Sequence, residues 1–144
     1  MDTDYTGDDF YCDVALRGKV PLKKEYESEH VLAFHHTRPF WPVHIVVVLK
    51  KHIASFTVLM QEDTPILLEL IEVLKILAAK VEKEHGAARI LTNLGKYQDS
   101  KHLHFHINSG EPLESTPQKK WVESVRLWDL AHEDACKYYI LCLE

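Results

Sequence analysis

Lys101-His102-Leu103-His104-Phe105-His106-Ile107 places histidines at three alternate positions. In a β-strand successive side chains point to opposite faces, so His102, His104 and His106 share one face while Leu103, Phe105 and Ile107 share the other. A helix would scatter them. The run therefore predicts a strand with an apolar face on a core and three imidazoles about 6 to 7 Å apart on the opposite face. Imidazole, with an unperturbed pKa of about 6.5, serves as nucleophile, proton donor or neutral metal ligand near neutral pH. Spacing alone leaves three readings open. The histidines are structural and hydrogen-bonded; or two of them join a third ligand around a catalytic zinc with an open position; or the central imidazole attacks an electrophile while its neighbours supply protons and positive charge.

The strand is entered from Thr92-Asn93-Leu94-Gly95-Lys96-Tyr97-Gln98-Asp99-Ser100, a polar loop. Its backbone N–H groups near Gly95, with the Asn93 and Ser100 side chains, can donate to phosphate oxygens beside the imidazoles. Further out, His30 to Phe34 and the Val-rich His44 to Leu49 read as strands, the second central in a sheet. The clearest helix starts at Asp63 or Thr64 as N-cap, with Pro65 in the first turn and Gly86 as the stop. Leu67, Leu70, Ile71, Leu74, Leu77, Ala78 and Val81 form its apolar stripe. Phe10 to Gly18 reads as a short helix, and Arg89 to Thr92 as another strand. The elements predict an α+β fold: an antiparallel sheet of about five strands, one long helix, a short N-terminal helix and an extended C-terminal segment.

The expected organisation is a mobile acidic tail over 1–9, a domain over 10–110 and an extension over 111–144 that packs on the domain or on a dimer partner. In that extension Trp121, Val125 and Trp128 recur at helical spacing as packing residues. A length of 144 residues fits one core. The net charge of −5 argues against broad nucleic-acid binding, which needs a basic face. No stretch reaches the roughly 18 apolar residues of a membrane helix, and the acidic start lacks the order of a signal peptide, so a cytoplasmic protein is expected. Cys12, Cys136 and Cys142 lack disulfide spacing, in keeping with a reducing compartment.

His102-Leu103-His104-Phe105-His106-Ile107 resembles the signature of the histidine triad (HIT) family, and Pro42-Val43-His44 through Leu49-Lys50-Lys51-His52 is similar to a second block of it. Glu29 to His35, including Phe34, resembles the strand that forms part of the family's nucleoside pocket. The resemblance covers roughly residues 10 to 110. It implies a hydrolase or nucleotidyl transferase acting at the α-phosphate of a nucleoside phosphoramidate, an adenylylated conjugate or a dinucleoside polyphosphate, through a covalent nucleotidyl-histidine. His104 would be the nucleophile, held by a main-chain carbonyl near His102, the orienting member. His106, with His44 second, would stabilise charge on the phosphoryl oxygens, and His44 would also stand near the leaving group as a general acid. Gln98 and Ser100 would contact phosphate or leaving group, and Asn93 ribose or phosphate.

The family further implies a homodimer, with Trp121 or Trp128 at the contact, and a nucleotide or nucleotide conjugate as ligand, with neither nucleic acid nor membrane as partner. No cofactor is required. Some members hold a structural zinc with a Cys-x-x-Cys pair and two histidines; here Asp9 and Cys12 occupy that spacing, with His52 and His102 as partners, and the missing cysteine argues against the metal. Where many members carry an acidic residue after Ala-Phe-His to grip the ribose hydroxyls, this chain has His36, a weaker acceptor. That departure motivates a second reading, a nucleotide-binding scaffold with little catalytic activity.

Overall fold

The computed structural model describes residue 7 and residues 9–113. Those up to Gly110 belong to one compact unit. Its main elements are a π-helical segment (Tyr11–Ala15), strands β1 (Lys24–Glu27), β2 (Val31–His35) and β3 (Val43–Leu49), helix α1 (Thr64–His85), and strands β4 (Arg89–Leu91) and β5 (His104–Ser109). The strands form one sheet in the order β1-β2-β3-β5-β4, every neighbouring pair antiparallel.

β3 takes the central place because its valines and Ile45 suit a strand covered on both faces. Side-chain alternation divides the core. Val31, Ala33, Ile45, Val47, Leu49 and Ile107 pack against Leu70, Val73, Leu74, Leu77 and Val81 of α1. Leu32, Phe34, Val46 and Val48 point the other way, onto Tyr11 and Ala15 of the π-helical segment. Each large aliphatic side chain buried in this way stabilises the fold by about 1.5–3 kcal/mol. α1 follows the expected signals: Asp63 precedes it, Pro65 lies in its first turn, and Gly86 ends it at φ +80°, returning its N–H to Glu82 O at 2.8 Å. Among the described residues no helix is long and apolar enough to cross a membrane.

The structure departs from the sequence expectations in several places. β1 carries Lys24, Glu25 and Glu27 and no apolar alternation, which concealed it; it is an edge strand with an irregular register between Lys24 and Tyr26, and its acids pair with Lys24, His35, Lys50 and Lys80. In α1 the buried stripe includes Val73, whereas Ile71 is half exposed. The histidine strand starts at His104, not His102. His102, which lies in a bend, and Leu103 are held before it by Leu103 N–H to Ile53 O at 2.6 Å and His102 Nε2 to Leu49 O at 2.7 Å. The N-terminal helical turn is π-type, with Leu16 N–H bonded to Tyr11 O at 2.8 Å. Trp121, Val125 and Trp128 lie outside the described residues.

Candidate active site

The sheet face opposite α1 gathers the chemistry. In β5 the alternation that sends Phe105 and Ile107 toward the helix sends His104 and His106 to the other side, where β3 contributes His44. His106 faces Val46 and His104 faces Val48 across the β3–β5 ladder, so His44 meets His106 diagonally. The face is not open: His44, His104 and His106 are only 2%, 4% and 5% exposed. Tyr11 covers part of it, its ring centre 4.7 Å from that of His104 and 5.6 Å from that of His102.

Hydrogen bonds from the main chain assign a proton to each ring. His104 Nδ1 lies 2.6 Å from His102 O, so Nδ1–H donates and Nε2 carries the lone pair. Phe40 N–H donates to His44 Nδ1 at 3.1 Å, which puts the proton of neutral His44 on Nε2. That Nε2–H donates to His106 Nδ1 at 2.8 Å, leaving the His106 proton on Nε2. His106 Nε2 is buried with no hydrogen-bond partner among the described residues. His36 behaves as His44 does: Arg38 N–H donates to its Nδ1 at 2.9 Å, so its Nε2 also carries a proton. Its ring stacks on His44 at 4.3 Å between centres.

Burial keeps these rings uncharged. It is the largest cause lowering His36 to about 4, His44 to about 3 and His106 to about 2, and neighbouring imidazoles push the same way. Burial lowers His104 too, against its bond to the His102 carbonyl. One face thus presents a neutral imidazole lone pair on His104 beside the N–H donors of His106 and His36. Nitrogens of His36, His44 and His106 lie within 4.8 Å of one another. That cluster does not suit a metal, because the nitrogens of His36 and His44 not bonded to backbone N–H carry protons. It suits an acceptor-rich ligand such as a phosphoryl group.

The other sequence-selected residues occupy varied places. Phe34 is a core residue of the same face. Gln98 and Ser100 are buried and hold the loop: Gln98 Nε2 donates to Ala54 O at 2.6 Å, and Ser100 Oγ accepts from Phe10 N–H at 3.0 Å. Asn93 is half-buried in the loop between β4 and β5. Sequence reasoning overlooked Tyr11 and Trp41, whose indole stands edge-on to His44 at 5.0 Å. The Phe40-Trp41 pair so close before His44 was the available signal for the second; Tyr11 had none beyond its aromatic character.

On the far side of His102 lies a second polar centre. Donor atoms of Asp9, Cys12, His52 and His102 lie within 4.8 Å of one another. Cys12 Sγ is 3.3 Å from His102 Nδ1 and 3.7 Å from His52 Nδ1, and the Asp9 carboxylate is 3.3 Å from His102 Nδ1 and 2.6 Å from His52 Nδ1. Ordinary zinc bond lengths give tetrahedral edges of about 3.6 Å for S to N and about 3.3 Å for N to O, so three of these four separations fit and the shortest is a direct hydrogen bond. The donor chemistry fits as well. His102 Nε2–H is spent on Leu49 O, which turns the Nδ1 lone pair inward. A carboxylate, a thiolate and two neutral imidazoles together balance a divalent cation. Asp9 is buried here; burial alone would raise its pKa, but the Cys12 N–H and thiol and the His102 ring lower it overall.

Residues 9–119 match the family model described as scavenger mRNA decapping enzyme C-term binding. An uncharacterized HIT-like protein of Helicobacter pylori is 37% identical over 102 residues, which span 67% of this chain and 91% of that one. The chain belongs to the histidine triad (HIT) family. Solved HIT structures share its fold. A histidine triad protein from Clostridium difficile aligns with a TM-score of 0.59 at 34% identity over 76% of this chain and 96% of its own. A HIT family hydrolase from Legionella pneumophila aligns with a TM-score of 0.63 at 27% identity over 76% and 98%. The fold that carries the alternating histidines and the His44 block is therefore a HIT nucleotide-binding hydrolase fold.

Proposed function

We propose that this HIT protein is a nucleotide hydrolase or nucleotidyl transferase that works through a covalent bond to His104. The observation that carries the reading is the pairing of His104, its Nδ1–H held by His102 O at 2.6 Å, with His106 Nε2–H, buried and unpartnered among the described residues. The first leaves a lone pair for attack, and the second supplies a donor for the oxygen on which charge gathers.

In the first step His104 Nε2 attacks the α-phosphorus of a nucleoside phosphoramidate, an adenylylated conjugate or a dinucleoside polyphosphate. An N–P bond forms, and the bond from phosphorus to the leaving nitrogen or oxygen breaks; its electron pair departs with the leaving group, which takes a proton from solvent. In the second step a water oxygen bonds to the same phosphorus, the N–P bond returns its pair to His104 Nε2, and the water gives up a proton. One water is consumed, and a nucleoside monophosphate is released. His106 Nε2–H donates to a phosphoryl oxygen throughout. His44 spends its Nε2–H on His106, so its part is to hold that ring with the donor forward rather than to protonate the leaving group. His36 adds an N–H where a ribose-gripping carboxylate stands in many relatives, favouring an acceptor group there. Zinc bound by Asp9, Cys12, His52 and His102 would act as a structural cross-link.

The family's homodimer is part of the same proposal. Leu68, Ile71 and Ile76 of α1 and Ile90 of edge strand β4 are exposed apolar side chains that a second copy would cover, and a monomer in sedimentation velocity at micromolar concentration would remove this part. The reaction is tested by mixing the protein with an adenosine phosphoramidate, quenching early and measuring intact mass. An added nucleotidyl group that maps to His104 is expected, and His104→Gly should bind nucleotide yet lose turnover by several orders of magnitude. Normal turnover by that variant would refute the covalent mechanism.

A further inference from the structure

The site face of β5 continues past His106. Alternation puts Asn108 on the same side as His104 and His106, and Asn108 is fully buried. It lies opposite His44 of β3 and opposite Arg89 of β4. Arg89 Nη1–H donates to Asn108 Oδ1 at 3.1 Å and to Gly110 O at 3.0 Å. A guanidinium only donates, so the amide atom that faces Arg89 is the oxygen, and Nδ2 turns away from β4 toward His44. Neither neighbouring ring can accept from it. His44 Nδ1 already accepts from Phe40 N–H, and His44 Nε2–H donates to His106 Nδ1, which leaves only an N–H on the other side of His106. Among the described residues, Asn108 Nδ2 and His106 Nε2 are the buried side-chain donors with no hydrogen-bond partner. Burying such a donor is destabilising, so two of them, two residues apart on one strand face, point to acceptors that come from outside the chain.

We propose that Asn108 Nδ2–H binds an oxygen of the leaving group, one step along β5 from the phosphoryl oxygen held by His106, and that Arg89 fixes the amide in that orientation. The order of groups along the strand rests on the nucleotidyl-transfer reading. Attack by His104 Nε2 places the breaking bond on the far side of phosphorus, roughly in line. His104, His106 and Asn108 follow one another at steps of about 6 to 7 Å, so the row presents a nucleophile, a phosphoryl donor and a donor beyond both. His36 flanks His44 from the end of β2, and Asn108 flanks it from β5, so the two ends of a bound nucleotide conjugate meet different donors. The amide then selects among leaving groups. A departing phosphate offers unprotonated oxygens and gains negative charge as its bond breaks, which an N–H stabilises. A departing amine takes up a proton and presents donors to a donor. The favoured class is therefore a nucleotide with a second phosphate beyond the α-phosphorus, as in a dinucleoside polyphosphate, over a phosphoramidate.

The test compares two ligands by calorimetry on the full chain: AMP, which ends at the α-phosphate, and α,β-methylene-ADP, which carries a second phosphate and resists cleavage between the two. The parent should bind the second more tightly, and Asn108→Leu, similar in shape, should cut that preference about tenfold. Asn108→Asp still accepts from Arg89 but has no N–H to give, so it should lose the preference too. A residue that served only to hold Arg89 would tolerate that change. In amide-proton spectra the Asn108 side-chain pair, identified by its loss in Asn108→Leu, should move downfield with α,β-methylene-ADP and less with AMP. An unchanged ligand ratio in Asn108→Asp, or an Asn108 resonance that α,β-methylene-ADP leaves in place, would overturn the proposal. A nucleotidyl adduct on His104 beside that result would leave the nucleotidyl-transfer reading standing. A changed ratio with no adduct would instead remove the covalent step and retain Asn108 as a phosphate ligand.

Discussion

Acidification from pH 7 to pH 5 should destabilise this protein by about 4 kcal/mol through His44 and His106 alone, and His36, lowered to about 4, adds to that loss. His44 and His106 are almost fully buried, and burial lowers them to about 3 and about 2. In the unfolded chain each returns to a pKa of about 6.5. As pH falls below that value the unfolded state takes up protons that the native state refuses, so the stability these groups contribute is fully present above about 6.5 and is lost downward toward their folded values. At pH 5 a group with an unfolded pKa of about 6.5 and a folded value of about 3 or below has cost about 2 kcal/mol relative to pH 7. Two groups give about 4 kcal/mol, a large share of the roughly 5–15 kcal/mol of a typical domain. Carboxylates contribute little in this interval, because Asp9, Glu25 and Glu69 are held below their ordinary values. Urea unfolding followed by far-UV circular dichroism at pH 7 and pH 5, with EDTA present, measures the difference. The paired variant His44→Asn, His106→Asn should lose about 4 kcal/mol of the pH dependence and keep the part carried by His36 and His104, which burial also lowers. A change of less than about 1 kcal/mol in the parent protein, or an unaltered slope in the paired variant, would show that the two imidazoles are not held neutral by the fold.

Two further substitutions test the core and the ligand face. Leu70→Ala, at a fully buried position between α1 and the sheet, should lower stability by about 2–5 kcal/mol in urea titrations, and a loss below 1 kcal/mol would contradict the packing described. His36→Asp exchanges a single N–H donor for a two-oxygen acceptor and should raise the preference for a ribonucleotide over its 2′-deoxy counterpart about tenfold by calorimetry, the worth of one good hydrogen bond; an unchanged ratio would place His36 away from the sugar.

Periodicity made most of the scaffold legible. The helix over 64–85 had Pro65 and Gly86 at its ends and a repeating apolar stripe, and β3 had a valine run that only a doubly covered strand tolerates. β1 carried no such signal because an edge strand is stabilised by backbone pairing and by charges outside the core, so Lys24 to Glu27 drew no assignment from the sequence. Strict alternation over His102 to Ile107 predicted the shared face, yet His102 leaves the strand because its ring is drawn to Leu49 O, a long-range contact that no local pattern encodes. The same limit applies to the site. Sequence could nominate His44 and His106, but their 2.8 Å contact depends on the register that sets Val46 opposite His106. Composition assigned Asp9 to an acidic tail, whereas its carboxylate is drawn in by the Cys12 N–H and two imidazoles.

His102 serves three neighbours at once: its Nε2 goes to Leu49 O, its Nδ1 to the Asp9–Cys12 pair, and its carbonyl to His104. Mutational scans of the triad will therefore not return three comparable numbers. On the proposed mechanism, replacing His104 changes what the folded molecule can do, whereas replacing His102 removes a fully buried ring and changes how much folded molecule there is. In a cellular assay both would score as inactive. A depleted His102 variant would be rescued by growth at low temperature or by a second, stabilising substitution; a depleted His104 variant would not.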